Sequence, residues 1–298
     1  MTIQWFPGHM AKARRQVTEK LKLVDIIFEL VDARLPISSA NPMMHEIIHQ
    51  KRRVVILNKS DMADPSITEK WLEYYEKQGI RAVAINSKDG KGLHKLTKAA
   101  QAEMSEKFER NLKRGMRPRA IRAMILGIPN VGKSTLINRL VKKNITQTGN
   151  RPGVTKAQQW IKVGKELELL DTPGILWPKF EDSEVGYRLA LTGAIKDDIL
   201  NLIDVSDYGY DYAAKYYPAF LMSYLGTDEP MTPKEMLERL ALNRQLTDGE
   251  HIDYSRAAEH FVRDFRALKL GRITLDRPEE LEMAEEADEE VVSSDEQA

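Results

Sequence analysis

The sequence of 298 residues contains no cysteine. This absence excludes a disulfide framework, thiolate ligation of zinc or iron–sulfur clusters, and a cysteine nucleophile, and it is typical of proteins in a reducing compartment. The sequence also lacks an apolar run of the ~18 residues that a membrane-spanning helix needs, and it does not begin with the apolar core of a signal peptide. We therefore expect a soluble, cytoplasmic protein that has no membrane partner.

Net charge is absent too, because 45 basic residues balance 45 acidic ones. The balance conceals an asymmetry along the chain. Residues 279–298 contain ten acidic side chains and no basic ones, so residues 1–278 contain 45 basic side chains against 35 acidic ones. Such an asymmetry is typical of a body that binds nucleic acid followed by an acidic tail. Because the tail has few apolar side chains, it is predicted to be disordered.

Short apolar segments rich in β-branched residues alternate with helical patterns over the first 170 residues. The predicted strands are Asp25–Val31, Val54–Leu57, Ala82–Ile85, Ile121–Leu126, Gln159–Val163 and Leu167–Leu170. The predicted helices among them are Thr68–Gln78, Leu93–Arg114 and Thr135–Lys142. This alternation predicts an α/β fold, with a mostly parallel sheet, helices on both of its faces and a ligand at the carboxyl ends of the strands.

Beyond residue 179 the pattern contains helices alone. They are predicted at Ser183–Thr192, Asp211–Leu225, Thr232–Leu242 and Asp253–Leu270, and Thr232 to Glu235 has the form of a capping box. We therefore expect an α/β domain at 1–179, a small all-helical domain at 180–278 that binds RNA, and the acidic tail at 279–298.

The sharpest motif runs from Gly127 to Ser134, with the pattern G-x-x-x-x-G-K-S between a predicted strand and a predicted helix. In this phosphate loop, successive backbone N–H groups and the positive end of the helix dipole hold the phosphates. The lysine reaches the β- and γ-phosphates, and the serine hydroxyl binds Mg²⁺. The predicted nucleotide-binding residues here are Asn130, Val131, Gly132, Lys133, Ser134 and Thr135.

A second phosphate-side motif, Asp171-Thr-Pro-Gly174, ends the strand predicted at Leu167–Leu170. In nucleoside-triphosphatases an aspartate at such a strand end holds Mg²⁺, often through water. The Gly174 N–H is then placed to meet the γ-phosphate, and Thr155, between the two motifs, is the candidate for a second Mg²⁺ ligand beside Ser134. Taken alone, D-x-x-G is also an ordinary turn and a single threonine also an ordinary loop residue, so these assignments depend on their position.

Base identity is predicted from Asn58-Lys59-Ser60-Asp61, directly after the strand predicted at Val54–Leu57. A carboxylate accepts hydrogen bonds from the N1–H and the exocyclic amine of guanine, whereas adenine has no donor at N1. Asp61 therefore selects GTP over ATP, and Asn58 is expected to bond the N7 edge of the purine. Asn86-Ser87-Lys88 follows the next strand and is similar to a second guanine loop, in which the Ser87 N–H meets the base O6.

The order of these motifs is reversed relative to the translation-factor-like GTPases, in which the phosphate loop comes first and the guanine loops last. A circularly permuted sheet, with the old termini joined across Leu93–Arg119, brings the same loops together. With Trp5-Phe-Pro-Gly-His-Met10, Asp32-Ala-Arg-Leu-Pro36 and the helical C-terminal region, this order resembles the circularly permuted GTPases over nearly the whole chain. Only the acidic tail falls outside the resemblance.

The resemblance implies a P-loop GTPase that binds GTP or GDP with Mg²⁺ and acts in late assembly of the large (50S) ribosomal subunit. Its expected partners are the precursor of that subunit, rRNA and ribosomal proteins, but not DNA. The GTP-bound form would bind rRNA and leave after hydrolysis that the subunit stimulates. Two alternatives stay open: a GTPase partner in RNA modification, and a GTP-gated scaffold that does not hydrolyse GTP.

Slow intrinsic hydrolysis is predicted from the residues after D-x-x-G, where many GTPases have a glutamine that orients water. Ile175 and Leu176 occupy these positions, and neither side chain can hydrogen-bond water. His9 is the catalytic candidate within the chain, although a packing role for it is equally open. Asn130 either binds K⁺ beside the phosphates, as relatives with asparagine at this place do, or merely favours the turn.

Basic side chains are concentrated in four places, three of them at Lys12–Lys22, Lys51–Arg53 and Lys107–Arg122. The fourth is the last predicted helix, with Arg256, Arg263, Arg266 and Lys269 on a face separate from its apolar residues. Each cluster alone is commonly a solvated surface. Together, on a body with an excess of positive charge, they predict contacts with RNA phosphates.

Overall fold

The computed structural model describes residues 15, 17–42, 48, 51–141, 160–170, 182–197, 200–248 and 251–281. Its sheet is built from six strands: β1 (Ile26–Asp32), β2 (Arg52–Asn58), β3 (Arg81–Ala84), β4 (Ile121–Leu126), β5 (Trp160–Val163) and β6 (Leu167–Leu170). Their order in space is β3-β2-β1-β4-β6-β5. All neighbours pair in parallel except the edge strand β5, which runs antiparallel to β6. The predicted mostly parallel α/β sheet is confirmed.

Helices cover both faces of this sheet, as the buried character of its central strands requires. Helix α1 (Pro65–Lys77) packs Ile67, Trp71 and Tyr75 against one face. Helix α2 (Leu93–Lys113) packs against the opposite face, in the core that also contains residues of α3 (Lys133–Val141). Every side chain of β1 is buried. The central strand is thereby held between the two layers.

The helical region (residues 182–270) contains α4 (Ser183–Leu191), α5 (Leu202–Tyr216), α6 (Pro218–Leu225), α7 (Pro233–Asn243) and α8 (Tyr254–Arg266). The capping box at the start of α7 is confirmed. A single helix at Asp211–Leu225 was the wrong prediction. The chain forms two helices there, because Pro218 cannot continue α5, and α5 already begins at Leu202 behind the N-cap Asn201.

Two further differences lie near α8. A ribbon of two short strands, β7 (Thr247–Asp248) and β8 (His251–Ile252), precedes this helix and was not predicted. The helix itself ends at Arg266 and not at Leu270, since Leu268 adopts a left-handed backbone conformation with φ 60°. No helix among the described residues is long and apolar enough to cross a membrane.

After α8 the chain returns to the sheet as an extended segment, the strap (residues 272–277). The Leu275 N–H donates to the Arg34 carbonyl (2.8 Å), and the indole N–H of Trp71 donates to the Asp276 carbonyl (3.0 Å). The carboxylate of Asp276 accepts hydrogen bonds from the Ser38 N–H (2.6 Å) and from Arg188 of α4 (3.0 Å). The strap therefore joins the helical region to the loop after β1 and to α1.

The first three residues of the segment that was predicted to be a disordered tail, 279–281, belong to a described helical turn. Residues 278–281 form a helical turn. Glu279 pairs with Lys70, and Glu280 accepts a hydrogen bond from the Tyr216 hydroxyl (2.8 Å). The first two acidic residues of that segment are therefore ion-pair and hydrogen-bond partners of the folded body.

Candidate active site

The predicted nucleotide-binding loops meet at one edge of the sheet. Asp32 at the end of β1 is level with Asn58 at the end of β2, and Leu57 is level with Ala84 of β3. β4 runs parallel beside β1 and leads into Gly127. Because the carboxyl ends of parallel strands share one edge, the loops at 58–61, 86–88 and 127–134 converge although they are far apart in the chain.

Asn58 bridges all three of these loops. Its side-chain N–H donates to the Val131 carbonyl in the phosphate loop (2.7 Å). Its Oδ1 accepts hydrogen bonds from the Ser87 N–H (3.1 Å) and hydroxyl (2.7 Å) in the second guanine loop. Asn58 is buried, with 1% of its surface exposed. The contact with the purine that the sequence predicted for this residue stays a prediction, and the structure adds that Asn58 links the three loops.

The phosphate loop passes so close to its neighbours that two of its positions exclude a side chain. A Cβ on Gly127 would lie 2.6 Å from the Leu30 carbonyl oxygen. Gly132 has φ 104°, and a Cβ there would collide with the amide of Asn58. Lys133 begins α3, and its ammonium group donates to the carbonyls of Gly127 (2.8 Å) and Ile128 (3.0 Å). The loop thus has the curled backbone of a phosphate cradle at a helix N-terminus.

The two guanine loops are tied to each other as well as to the phosphate loop. The Ser60 N–H donates to the Ile85 carbonyl (3.1 Å). Asn86 closes its own turn, since its Oδ1 accepts from the Lys88 N–H (2.8 Å). Asp61 lies in the first guanine loop and is half-buried, and its contact with the base stays a prediction.

Sequence reasoning missed a contribution from the loop after β1. Asp32 accepts two hydrogen bonds from the guanidinium of Arg34 (2.9 and 2.8 Å), and its Oδ2 lies 3.0 Å from the ammonium of Lys59. Burial raises the pKa of Asp32, but the positive charges and hydrogen bonds of Arg34 and Lys59 outweigh burial and hold that pKa well below its ordinary value. Lys59 has φ 59°, a strained conformation for a lysine. Its ion pair with Asp32 fixes the side chain beside the base-binding loop.

The helical region touches both sides of this site. Asn130 in the phosphate loop has φ 60°, and its side-chain N–H donates to the Gly193 carbonyl just after α4 (3.2 Å). The guanidinium of Arg34 lies 3.5 Å from the Thr192 carbonyl. One turn of the helical region therefore contacts the phosphate loop and the loop that holds Lys59.

Several predicted residues lie outside the described residues. They are His9, Thr155, Asp171, Gly174, Ile175 and Leu176. Of the two predicted Mg²⁺ ligands, only Ser134 at the start of α3 is described, half-buried at the end of the phosphate loop. The described parts of the chain contain no cluster of three or more histidine, aspartate or glutamate side chains that could hold a metal ion. The assignments of the catalytic and metal-binding residues thus stay predictions.

Comparison with known proteins identifies the family. A family model described as "50S ribosome-binding GTPase" matches residues 122–230. "Ribosome biogenesis GTPase A" of Bacillus pumilus (strain SAFR-032) is 57% identical over 281 residues, which cover 94% of this chain and 100% of that protein. "Probable ribosome biogenesis GTPase A" of Mycoplasma pneumoniae is 33% identical, over 92% and 96% of the two chains. The chain belongs to the family of ribosome biogenesis GTPases.

Solved structures of the family share this fold. GNP-bound YlqF from T. maritima is 28% identical, has a TM-score of 0.63, and the match covers 90% of this chain and 99% of that one. The GDP-bound YlqF structure gives a TM-score of 0.64. The predicted circularly permuted GTPase fold is confirmed. This ribosome biogenesis GTPase binds guanine nucleotide and hydrolyses GTP.

The structure divides the predicted basic clusters of this GTPase into paired and exposed side chains. Arg53 pairs with Glu29 (3.1 Å), and Arg119 pairs with Asp25 (2.7 Å). Arg266 was predicted on the exposed face of α8, but it donates to the Ala190 carbonyl (2.7 Å) and therefore fastens α8 to α4. The basic side chains that stay exposed on the surface include Arg110, Lys113, Arg114, Arg117, Arg256 and Arg263.

Proposed function

We propose that this ribosome biogenesis GTPase binds the rRNA of a large-subunit precursor in its GTP-bound form and leaves after hydrolysis that the subunit stimulates. The observation that carries the proposal is the direct contact between the nucleotide site and the helical region, through Asn130 and Gly193. A helical region that touches the phosphate loop is placed to respond to the nucleotide. The family model that matches the chain is described as a 50S ribosome-binding GTPase, which supports the choice of subunit.

The proposed chemistry uses the residues assigned above. GTP would lie with its base against Asp61 and its phosphates over Gly132 and Lys133. The phosphate loop fits this ligand, because its glycines admit no side chain where the backbone curls. Mg²⁺, which would neutralise charge that develops on the phosphates, would be held by Ser134 and Thr155, with Asp171 acting through water.

We propose His9 as the group that orients the attacking water and K⁺ as a further cation beside Asn130. The amide nitrogen of Asn130 donates to Gly193, so K⁺ would be bound by the other end of the amide, its Oδ1. Ile175 and Leu176 cannot perform the water-orienting role, which supports slow turnover without the subunit. Exchange of K⁺ for Na⁺ should lower the rate of GTP hydrolysis, and an equal rate would remove K⁺ from the mechanism.

The experiment is cosedimentation with purified large subunits and with small subunits, in GDP and in a non-hydrolysable GTP analogue, together with GTP turnover. We expect cosedimentation with large subunits in the analogue only, and turnover that rises when they are added. His9→Ala should abolish the rise and keep cosedimentation, whereas His94→Ala, at an exposed histidine of α2, should change neither. Equal cosedimentation in both nucleotides, or with both subunits, would contradict the proposal.

A further inference from the structure

Three arginines surround one histidine on the outer surface of the helical region; we call this group the His260 cluster. Arg256, His260 and Arg263 lie at i, i+4 and i+7 on α8, hence on one face of the helix. Arg244 joins them from the C-terminal end of α7, with its guanidinium nitrogen 3.1 Å from His260 Nδ1. The guanidinium of Arg263 lies 2.6 Å from the same ring nitrogen.

The contacts around His260 favour its neutral form. Two guanidinium groups, which have only donors, approach Nδ1, and the Arg263 nitrogen also lies 3.2 Å from Nε2, so an added proton on the ring would face cations. Burial lowers the pKa of His260, the charges of Arg263, Arg244 and Arg256 lower it further, and Asp264 acts in the opposite direction. A neutral ring thus separates cations that repel one another.

The buried carboxylate of Asp264 fixes the position of Arg244 in this cluster. Asp264 is 1% exposed and pairs with Arg244 and, at 2.8 Å, with the ammonium of Lys269. It also accepts a hydrogen bond from the Tyr224 hydroxyl of α6 (2.8 Å). Asp264 therefore forms ion pairs with Arg244 and Lys269, and it forms none with Arg256 or Arg263. The cluster is a preorganised concentration of positive charge at the protein surface.

We infer that the His260 cluster binds a phosphodiester group of RNA and that His260 takes up one proton from solvent when it does so. This inference rests on the proposed function and names one place where rRNA would be held. Guanidinium groups bind phosphate oxygens through paired, charge-assisted hydrogen bonds. When Arg244 and Arg263 turn to the phosphate, Nδ1 loses its donors, and an adjacent anion favours the imidazolium.

The sign of the pH dependence follows from this exchange. Binding raises the pKa of His260, so protons are taken up, and affinity is highest at low pH and declines as pH rises through the pKa of the bound state. A phosphodiester stays singly charged in this range, whereas a phosphomonoester titrates near pH ~6. Any pH dependence of RNA binding near neutrality must therefore come from the protein, and His260 is the titrating group in this cluster.

The test is fluorescence anisotropy of a labelled RNA hairpin with the full chain bound to a non-hydrolysable GTP analogue, at constant ionic strength, between pH about 6 and pH about 7.5. Wild-type affinity should fall by up to about tenfold per pH unit. His260→Gln should remove this slope. His260→Lys should also be flat, but at the higher affinity that the wild type shows only at low pH. Arg263→Gln should weaken binding about tenfold and reduce the salt slope by about one.

Controls separate this site from general electrostatics and from misfolding. Lys215→Gln makes the same change of charge on the exposed surface of α5 and should alter affinity far less than Arg263→Gln. The basal GTPase rate of every variant should equal that of the wild type. If His260→Gln keeps the wild-type pH slope, or if Arg263→Gln binds the hairpin as tightly as Lys215→Gln does, the His260 cluster is not the phosphate site. RNA binding elsewhere on the protein would remain supported. If the wild type does not bind the hairpin, the site and the RNA-binding part of the proposed function both fall.

Discussion

Replacement of Asn58 by alanine should weaken nucleotide binding as well as destabilise the fold. The substitution removes three hydrogen bonds, to the Val131 carbonyl and to the N–H and hydroxyl of Ser87. Each is worth about 1 kcal/mol net, and a buried partner that is left unsatisfied costs about 1–3 kcal/mol. Because water can enter the vacated space, we expect a loss of about 3 kcal/mol in the free energy of unfolding.

The effect on binding arises because Asn58 holds the phosphate loop at a fixed distance from the guanine loops. Without it, the ligand must order loops that are preorganised in the wild type. A cost of about 1.4 kcal/mol already corresponds to a tenfold loss of affinity, and we expect at least about tenfold for GDP and for GTP alike. Fluorescent GDP titration measures the affinity, and urea unfolding followed by tryptophan fluorescence measures the stability.

Two variants provide matched comparisons. Ser87→Ala removes one of the three hydrogen bonds and should cost about 1 kcal/mol with a smaller loss of affinity. Asn201→Ala makes the same substitution at the N-cap of α5, where Asn201 accepts from the Ile203 N–H (3.1 Å), and should also cost about 1 kcal/mol. It should leave GDP affinity unchanged. If Asn58→Ala binds GDP as tightly as Asn201→Ala does, the bridging role of Asn58 is refuted.

Three further predictions concern buried aspartates. Asp32→Asn leaves the buried Arg34 without its counter-charge and should cost about 3–5 kcal/mol in urea unfolding and weaken GDP binding; unchanged GDP affinity would refute the role given to Lys59. Asp276→Ala should release the strap, so limited proteolysis should cleave near residue 276 in the variant and spare the wild type. Burial raises the pKa of Asp25, but the hydrogen bonds from Arg119, Arg122 and Lys107 outweigh burial and lower that pKa to about 2. The contribution of Asp25, about 1–2 kcal/mol, is complete above pH ~4 and is lost as pH falls through 2, so the unfolding free energies of Asp25→Asn and wild type should converge in acid.

The sequence was most informative where local chemistry decides the structure. The loops after β4 and after β2 could be predicted, because the glycines and lysine of the phosphate loop and the residues Asn58 to Asp61 of the guanine loop determine the local backbone conformation. The capping box at Thr232 is a contact over three residues and was predicted for the same reason. The break before Pro218 has an equally local signal, because a proline inside a helical pattern marks a boundary. That signal was present and was overlooked.

What the sequence could not predict depends on contacts between distant residues. Asn58 meets Val131 from 73 positions away, and Arg34 lies 158 positions from Thr192. The same limit applies to charge. Arg266 has the helical spacing of an exposed basic residue, yet its guanidinium is bound to backbone carbonyls of α4. Periodicity identifies the face of a helix but not which neighbour covers it.

The distribution of contacts around the site decides how the helical region can respond to nucleotide. On the phosphate side the described residues form one hydrogen bond between side chain and backbone, from Asn130 to Gly193, worth about 1 kcal/mol. On the base side the strap adds three hydrogen bonds from Ile37 and Ser38 to the Asp276 carboxylate and a backbone bond to Arg34. The base is common to GDP and GTP, whereas the phosphates differ. We therefore predict that the base-side contacts persist through hydrolysis and that a movement of the helical region would begin at the contact between Asn130 and Gly193.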